Sequence, residues 1–313
     1  MVPDPDPDTS QRPSAASPPG EQRGAGPTRV LRRMGIWAAA LILLTGVLYL
    51  VISPRLAETL LFFPDSSDPG APPPVAGLEG RDVELTTADG VRIHGWWWSA
   101  SDDAPAVVFF HGNAGNLAMR VSTAEGLASR GLSVFVLSYR GYGRSEGRPS
   151  EEGVLHDGRA ALEWVSREVG GTHRVVLHGR SLGGFVAAGV GAEAAVAGVI
   201  LESSFTTLYE IAREVYPILP RFLLGRLRGH FDNLDAVSRV EAPVLVIHGA
   251  ADALIPPEMG ERLHRRARQG HGWLPVEGAG HNDLPFVAGE DYFDQVATFV
   301  RRVTDEFGTA TEG

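Results

Sequence analysis

Residues 178 to 184 read His178-Gly179-Arg180-Ser181-Leu182-Gly183-Gly184, a serine with a glycine two positions before it and two positions after it. The stretch follows the apolar run 175–177 and precedes the small and apolar residues 185–188, so it joins a buried strand to a helix. Such a sharp turn leaves no room for side chains at the two glycine positions. The pattern predicts a nucleophile elbow, in which the Ser181 hydroxyl is exposed and the N-terminus of the next helix faces a developing oxyanion.

Glycine is common in this chain, at 38 of 313 residues, so a G-x-S-x-G pattern also arises by chance. The alternative interpretation is a glycine-rich turn in which Ser181 only caps the helix. The choice between them depends on whether the chain supplies the other groups that an activated serine needs.

The composition excludes several kinds of chemistry. The formal net charge is −10, so we do not expect nucleic-acid binding, because phosphates would be repelled. All 28 basic residues are Arg and Cys is absent, which rules out lysine Schiff bases, a Walker lysine, thiolate nucleophiles and disulfides. The pattern H-E-x-x-H is also missing, and we expect neither a metal nor an organic cofactor.

An uncharged apolar segment lies near the N-terminus. Residues 1–34 are rich in Pro, Asp, Ser and Gly and are predicted to be a disordered tail. Residues 35–53 are predicted to form a transmembrane helix, because about 27 Å of uncharged helix nearly matches a hydrocarbon layer of about 30 Å. Two alternatives stay open: a cleaved signal peptide, although no small-residue cleavage site is evident, and a buried core helix, although the segment has no polar face.

Basic residues flank this apolar segment unequally. Arg23, Arg29, Arg32 and Arg33 precede it, and only Arg55 follows it closely. Because the cytoplasmic flanks of membrane helices are enriched in Arg and Lys, we expect a single-pass membrane protein with a cytoplasmic N-terminus and its large C-terminal part on the extracytoplasmic side.

The remainder of the chain has the pattern of one α/β domain. Residues 54–80 are rich in proline and are predicted to be a stiff linker, and residues 307–313 a short tail. Within residues 81–306, two strands flank the hairpin signal Asp89-Gly90. Six apolar runs, at 106–110, 132–137, 174–177, 198–201, 244–247 and 272–276, then alternate with helical segments. This alternation predicts a mostly parallel, eight-stranded, doubly wound sheet.

The chain also carries an acid and a base in suitable places. Asp252 comes just after the apolar run 244–247, and Glu202, directly after 198–201, is the rival acid. His281 lies on the glycine-rich loop 278–283. The order Ser181, Asp252, His281 is the order in which an α/β hydrolase presents its nucleophile, acid and base. An imidazole is needed to take the serine proton, and a carboxylate to orient that imidazole.

Two backbone amides are candidates for an oxyanion hole. Asn113 lies in the loop after the run 106–110, and Leu182 directly follows the serine. In this architecture one oxyanion donor comes from each of these places, and one donor is worth about 3 kcal/mol of transition-state stabilisation. The alternative for the first loop is an ordinary glycine turn into a helix.

Taken together, residues 61 to about 300 resemble the α/β-hydrolase superfamily, and within it the membrane-anchored group that contains the ABHD-type and Bem46-like serine hydrolases. The resemblance lies in an ordered set of motifs: Leu61–Pro64, His111–Asn116, Tyr139–Gly147, the elbow, Glu202–Phe205, His248–Asp252 and Gly280–His281. It implies an α/β-hydrolase fold and hydrolysis of carboxylic esters or thioesters, with lipid acyl esters among the candidates. The loop Tyr139–Gly147 either borders the pocket or has a packing role.

Two other functions remain open on the sequence. The same triad serves peptidases and amidases, and the fold alone does not exclude a non-catalytic binding scaffold. The sequence makes no prediction of the substrate's identity or of the oligomeric state.

Residues 205–240 are predicted to be an insertion. Its apolar residues include Leu208, Ile211, Val215 and Leu224, and Pro217 and Pro220 interrupt it. These residues would form either a short helical lid over the active site, favouring acyl substrates drawn from a membrane, or ordinary core packing beside the sixth strand.

Overall fold

The computed structural model describes residues 27–52, 58, 61–218 and 220–311. The chain divides into two units, Met1–Ser53 and Pro54–Gly313, which are described separately. The predictions for residues 1–26 and for Arg55 lie outside the described residues.

The described part of the first unit is one helix, α1, over Pro27–Ile52. It begins eight residues before the predicted start at Gly35, so residues 27–34 are helical rather than part of a disordered tail. Proline suits the first position of a helix, and the three arginines that follow are good helix formers. The window Leu31–Leu48 has a mean hydropathy of 1.6 and is long enough to cross a bilayer. A signal sequence would meet the same criteria, so α1 is a candidate membrane anchor.

The second unit contains the eight-stranded sheet that the sequence predicts. Its strands are β1 Gly80–Thr86, β2 Arg92–Trp98, β3 Ala106–Phe110, β4 Ser133–Ser138, β5 Val175–Arg180, β6 Gly198–Glu202, β7 Val244–Gly249 and β8 Gly270–Val276. Their spatial order is β1-β2-β4-β3-β5-β6-β7-β8. β2 runs antiparallel to both β1 and β4, and the other pairs are parallel.

Helices cover this sheet on both faces. They are α2 Val121–Ala128, α3 Glu151–Val169, α4 Leu182–Gly191, α5 Leu208–Val215, α6 Arg221–Leu224, α7 Asn233–Arg239, α8 Pro257–Arg266, α9 Leu284–Ala288 and α10 Glu290–Thr311. Val107 and Phe109 of β3 join a core cluster with residues of α2 and α10. Phe110, on the opposite face, points to α3 at Gly158. Successive side chains of β3 therefore point to opposite faces of the sheet, and because helices cover both faces, all residues of the strand are buried.

The proposed linker is wrong for residues 61–80. Phe63–Pro64 pairs in parallel with Ala114–Gly115 as a short two-stranded sheet. Leu61, Phe62 and Val75 are buried, and the carbonyl of Pro73 accepts a hydrogen bond from Trp98 Nε1 at 2.9 Å. Proline lacks an N–H donor but keeps its carbonyl and its apolar ring, so this proline-rich segment packs onto the domain.

The chain end also differs from the prediction. Residues 307–311, predicted to be a tail, continue α10 as far as Thr311. No proline interrupts residues 307–311. At the other end of α10, the acidic residues Glu290 and Asp291 of the first turn complement the helix dipole.

The insertion 205–240 has a buried part and an exposed part. Leu208 and Ile211 of α5 are buried, and so are Leu224 and Phe231. Ile218 and Phe222, in contrast, are 95% and 75% exposed. Part of the insertion is therefore core packing, while the part around residues 215–222 extends apolar side chains into solvent.

The turn between β5 and α4 has the backbone that the elbow pattern predicts. Ser181 has φ 55° and ψ −116°, a strained conformation for a residue with a side chain. A Cβ on Gly179 would lie 2.1 Å from the carbonyl oxygen of Gly183, and a Cβ on Gly183 would lie 1.9 Å from the carbonyl oxygen of Phe110. Only glycine can occupy either position, because backbone atoms cannot move aside as a flexible side chain would.

We therefore expect Gly183→Ala to lower the free energy of unfolding by about 3 kcal/mol or to prevent folding, since the added methyl group overlaps the end of β3. Denaturant unfolding of the full chain in detergent micelles measures the change. Gly225→Ala is the matched control, because a Cβ there meets nothing within 4 Å. Equal stability of the two variants would contradict the proposed close approach.

Candidate active site

The three predicted residues form one hydrogen-bonded chain. His281 Nε2 lies 3.2 Å from Ser181 Oγ, and His281 Nδ1 lies 2.8 Å from Asp252 Oδ2. Ser181 is at the β5–α4 turn, Asp252 follows β7, and His281 follows β8. The carboxyl ends of parallel strands meet at one edge of the sheet, which is why residues 100 and 29 positions apart in sequence become neighbours.

The Asp252 carboxylate is fully buried and held on both oxygens. Its Oδ1 accepts the backbone N–H groups of Leu254 at 2.9 Å and Ile255 at 2.8 Å. Burial opposes ionisation, but the hydrogen bonds from His248, His281 and the backbone of Ile255 outweigh it and hold the pKa of Asp252 well below its ordinary value. The carboxylate is therefore ionised, as stabilisation of a neighbouring imidazolium requires.

His248 is a supporting residue that the sequence did not identify. Its Nε2 lies 2.9 Å from the carbonyl oxygen of Ile255 and 3.3 Å from Asp252 Oδ2. Both neighbours are acceptors, so this nitrogen carries the proton and the imidazole braces the loop that holds Asp252. A histidine followed four residues later by an acid was visible in the sequence, but nothing there indicated their contact.

Glu202, the rival acid, has other partners. Its Oε2 accepts hydrogen bonds from His178 Nε2 at 3.0 Å and Tyr292 Oη at 2.7 Å, and its Oε1 lies 3.4 Å from Arg180 Nε. Burial opposes ionisation, but Arg180, His178 and Tyr292 outweigh it and lower the pKa of Glu202 to about 2. Within the described part of the chain Glu202 makes no hydrogen bond to His281, and Asp252 is the acid next to the imidazole.

The two predicted oxyanion donors lie on different elements. Leu182 is the first residue of α4, where a backbone N–H has no partner inside the helix. The N–H of Asn113 finds no acceptor among the described residues, and both residues line a cavity at Ser181.

Residues outside the predicted set hold the Asn113 loop in place. The Asn113 carbonyl accepts from Tyr142 Oη at 2.6 Å and from the N–H of Phe63 at 3.0 Å. Asn113 Nδ2 donates to the carbonyl of Leu61 at 3.0 Å, and Tyr139 Oη donates to the carbonyl of His111 at 3.1 Å. The Tyr139–Gly147 loop thus supports the site through hydroxyl groups, and the misassigned linker supplies part of the same frame.

Two cavities meet at Ser181. The larger, about 790 Å³, is called the cationic cavity and is lined by Arg120, Arg180, Ser181, His281 and Phe286, among others. The smaller, about 190 Å³, is called the apolar cavity. Its walls come from the serine turn, the segment 61–63, α5 and the loop after β7: Leu61, Phe63, Asn113, Ser181, Leu182, Phe205, Leu208, Ile211, Ala212, Val215, Tyr216, Leu254 and Ile255.

The titratable groups of the site do not suggest a metal centre. Among the described residues, no three His, Asp or Glu side chains are grouped so that they could hold a metal ion. His111, which follows β3, is fully buried, and burial together with Arg120 lowers its pKa to about 3. It is therefore a neutral imidazole packed against Tyr139 and Tyr142.

The buried Glu202 predicts a pH dependence of stability. A carboxyl whose pKa is lowered on folding stabilises the folded state above its ordinary pKa, and this contribution is lost as the pH falls toward about 2. As the pH falls from about 5 to about 2, the unfolding free energy of both proteins should fall. We expect the fall to be about 2 kcal/mol smaller for Glu202→Gln than for the wild type, because the variant has no carboxylate to protonate at this position. Denaturant unfolding at a series of pH values measures it. The half-buried Glu261, paired with Arg265 one helical turn away, gives the control Glu261→Gln, and equal slopes for all three proteins would contradict the assignment.

Known proteins are similar to this chain in sequence and in fold. Residues 105–227 match the alpha/beta hydrolase fold family. The chain is 36% identical over 274 residues to an uncharacterised protein of Mycobacterium tuberculosis, covering 86% of this chain and 95% of that one. It is 30% identical over 288 residues to the protein bem46 of Schizosaccharomyces pombe, covering 87% and 93%. An esterase of Pyrococcus furiosus has the same fold, with a TM-score of 0.62 at 23% identity, covering 75% of this chain and 100% of that one. The chain thus belongs to the α/β-hydrolase superfamily and, within it, to the Bem46-like family.

Proposed function

We propose that this protein is a membrane-anchored serine hydrolase that cleaves carboxylic esters or thioesters through an acyl-enzyme intermediate. The observation that carries the proposal is the chain Ser181–His281–Asp252, with spacings of 3.2 and 2.8 Å, at a strained strand-to-helix turn. Ser181 is the nucleophile, His281 the base and Asp252 the group that orients the base.

The reaction follows from the positions of the protons. Asp252 accepts the Nδ1–H of His281, which leaves Nε2 free to take the Ser181 proton as Oγ attacks the carbonyl carbon. The carbonyl oxygen becomes an oxyanion that receives the N–H groups of Asn113 and Leu182. His281 then returns the proton to the leaving oxygen or sulfur, the acyl group stays on Ser181, and a water activated by His281 releases it as the acid.

The position of His281 relative to the two cavities determines which part of the substrate each cavity receives in the proposed reaction. His281 lines the cationic cavity and is absent from the walls of the apolar cavity. Because His281 protonates the leaving group, the leaving group belongs in the cationic cavity and the acyl chain in the apolar one. The apolar walls on α5 suit an aliphatic chain, and the exposed Ile218 and Phe222 beyond α5 make the insertion a lid that can accept acyl substrates from a membrane.

The membrane location is also a proposal. Its support is the helix α1, which is long and apolar enough to cross a membrane, and the arginines at 23, 29, 32 and 33, which precede the uncharged residues 35–52. These charges favour a single-pass topology with a cytoplasmic N-terminus and an extracytoplasmic catalytic domain.

Covalent labelling tests the proposed nucleophile. We expect a fluorophosphonate probe to label the wild type in detergent micelles, Ser181→Ala to remain unlabelled, and His281→Ala to react at least a hundredfold more slowly, since its hydroxyl lacks the base. Ser129→Ala, at the end of α2, is the serine control and should label like the wild type. Labelling that persists in Ser181→Ala would show a different nucleophile, and a folded wild type that does not react would support a binding scaffold instead. Anilide and ester substrates then separate an amidase from an esterase.

The acyl-chain assignment predicts a change in chain-length preference. Ile211 lines the apolar cavity, so a bulky Ile211→Trp should fill it and lower kcat/KM for dodecanoyl esters at least tenfold more than for acetyl esters. Steady-state hydrolysis of matched 4-nitrophenyl esters measures the ratio. The control is Glu214→Trp, on the same helix but exposed, which should keep the wild-type ratio. Equal losses on both chain lengths in Ile211→Trp would place the acyl chain elsewhere.

A further inference from the structure

An arginine without an acidic partner lies in the wall of the cationic cavity. Arg120 ends a short 3-10 helix, Leu117–Arg120, and its guanidinium donates through Nη2 to the carbonyl of Ala114. Its Nε is buried and has no hydrogen-bond partner among the described residues. No carboxylate of the described chain lies within ion-pair distance of Arg120, whereas Arg140 and Arg180 are paired.

A half-buried cation without an acidic partner is costly, and the surroundings increase the cost. Burial, followed by the positive charge of the nearby Arg180, lowers the pKa of Arg120 to about 10, so the group is still charged at neutral pH. Glu202 offsets this repulsion only in part, because it pairs with Arg180 rather than with Arg120. Among the described residues, no Asp or Glu lines the cationic cavity. One positive charge is thus uncompensated there, in a chain whose net charge is −10.

A supporting role in the loop would account for only part of this arrangement. The bond from Nη2 to Ala114 uses one of the five N–H donors of the guanidinium, and a neutral donor such as Gln could make it. A supporting role leaves the buried Nε without a hydrogen-bond partner and the positive charge without a counter-charge. An anion that enters the cavity would compensate the charge, because a guanidinium binds carboxylate and phosphate through paired N–H groups.

We propose that the cationic cavity binds an anionic group, a carboxylate or a phosphate, carried by the leaving group of the substrate, with Arg120 as its main ligand. This inference rests on the proposed function, since His281 assigns the leaving group to this cavity. The substrate is then an ester or thioester with an aliphatic acyl part on one side of Ser181 and an anionic alcohol or thiol part on the other. After acyl transfer the anionic product leaves with the proton from His281.

The test compares three octanoyl esters that differ only in the leaving group: 4-hydroxybenzoate, 4-hydroxyphenyl phosphate and the neutral methyl 4-hydroxybenzoate. The full chain in non-ionic detergent is used, and kcat/KM for each anionic ester is divided by that for the neutral ester, so that the fraction of folded enzyme cancels. We expect Arg120→Gln to lower this ratio at least tenfold for one or both anions, and Arg120→Lys to keep it within about threefold of the wild type. The anion with the larger loss identifies whether the site recognises carboxylate or phosphate.

The matched control is Arg167→Gln, an exposed arginine paired with Glu163 one turn away on α3, which should keep the wild-type ratio. A ratio that is unchanged in Arg120→Gln, or an equal loss on all three esters, overturns the proposal and leaves Arg120 as a support for the Ala114 loop.

A second measurement does not depend on hydrolysis. Titration of the Ser181→Ala protein with 4-hydroxybenzoate and with phenyl phosphate should show binding of at least one of them that Arg120→Gln weakens at least tenfold. No binding of either anion counts against the anion site, whereas a wild type that binds the anion but neither hydrolyses any ester nor reacts with a fluorophosphonate counts against the proposed function. The two failures are therefore distinguishable.

Discussion

The close approach of α4 to the end of β3 is the constraint on which the rest of the site depends. Gly183 lies so near the Phe110 carbonyl that a methyl group would overlap it, and Ser181 must adopt a positive φ to make the turn. The strain is held by bonds on both sides: the N–H of Ser181 donates to the Glu202 carbonyl at 2.8 Å, and Ser204 Oγ donates to the Ser181 carbonyl at 2.6 Å. This approach brings the N-terminus of α4 beside the loop that follows β3, so Asn113 and Leu182 line the same cavity as Ser181.

The parts that could be predicted from the sequence are those with a local signature. The central strands are apolar runs because both faces are covered, so each was recognisable without knowledge of its neighbours. Ser181 and His281 stand among glycines because the chain must turn sharply there. Asp252 follows a buried strand at the same edge of the sheet. Local pattern and chain order together were enough to place the eight strands and to select three side chains that the fold brings into contact.

The parts that could not be predicted depend on contacts between distant segments. The prolines after Phe63 indicated a linker, and nothing local showed that Phe63–Pro64 would pair with Ala114–Gly115 and frame Asn113. His248 supports Asp252 through a contact that the sequence did not mark. Arg120 is one of 28 basic residues, and only its place in the cavity wall, without an acid nearby, distinguishes it. In each case the missing information was a tertiary contact rather than a propensity.

The two carboxylates at neighbouring strand ends have different partners because their tertiary contacts differ. Glu202 ends β6 and Asp252 follows β7, so position alone could not decide which one orients the histidine. Arg180, inside the elbow itself, pairs with Glu202 and also donates to the carbonyl of His281 at 3.2 Å. Arg180 thus links Glu202 to the loop that carries the imidazole. The loop after β7 instead binds Asp252 Oδ1 with two backbone N–H groups and leaves Oδ2 facing the imidazole. Arg180 and Arg120 both line the cationic cavity, but Arg180 pairs with Glu202, whereas no acid of the described residues lies within ion-pair distance of Arg120.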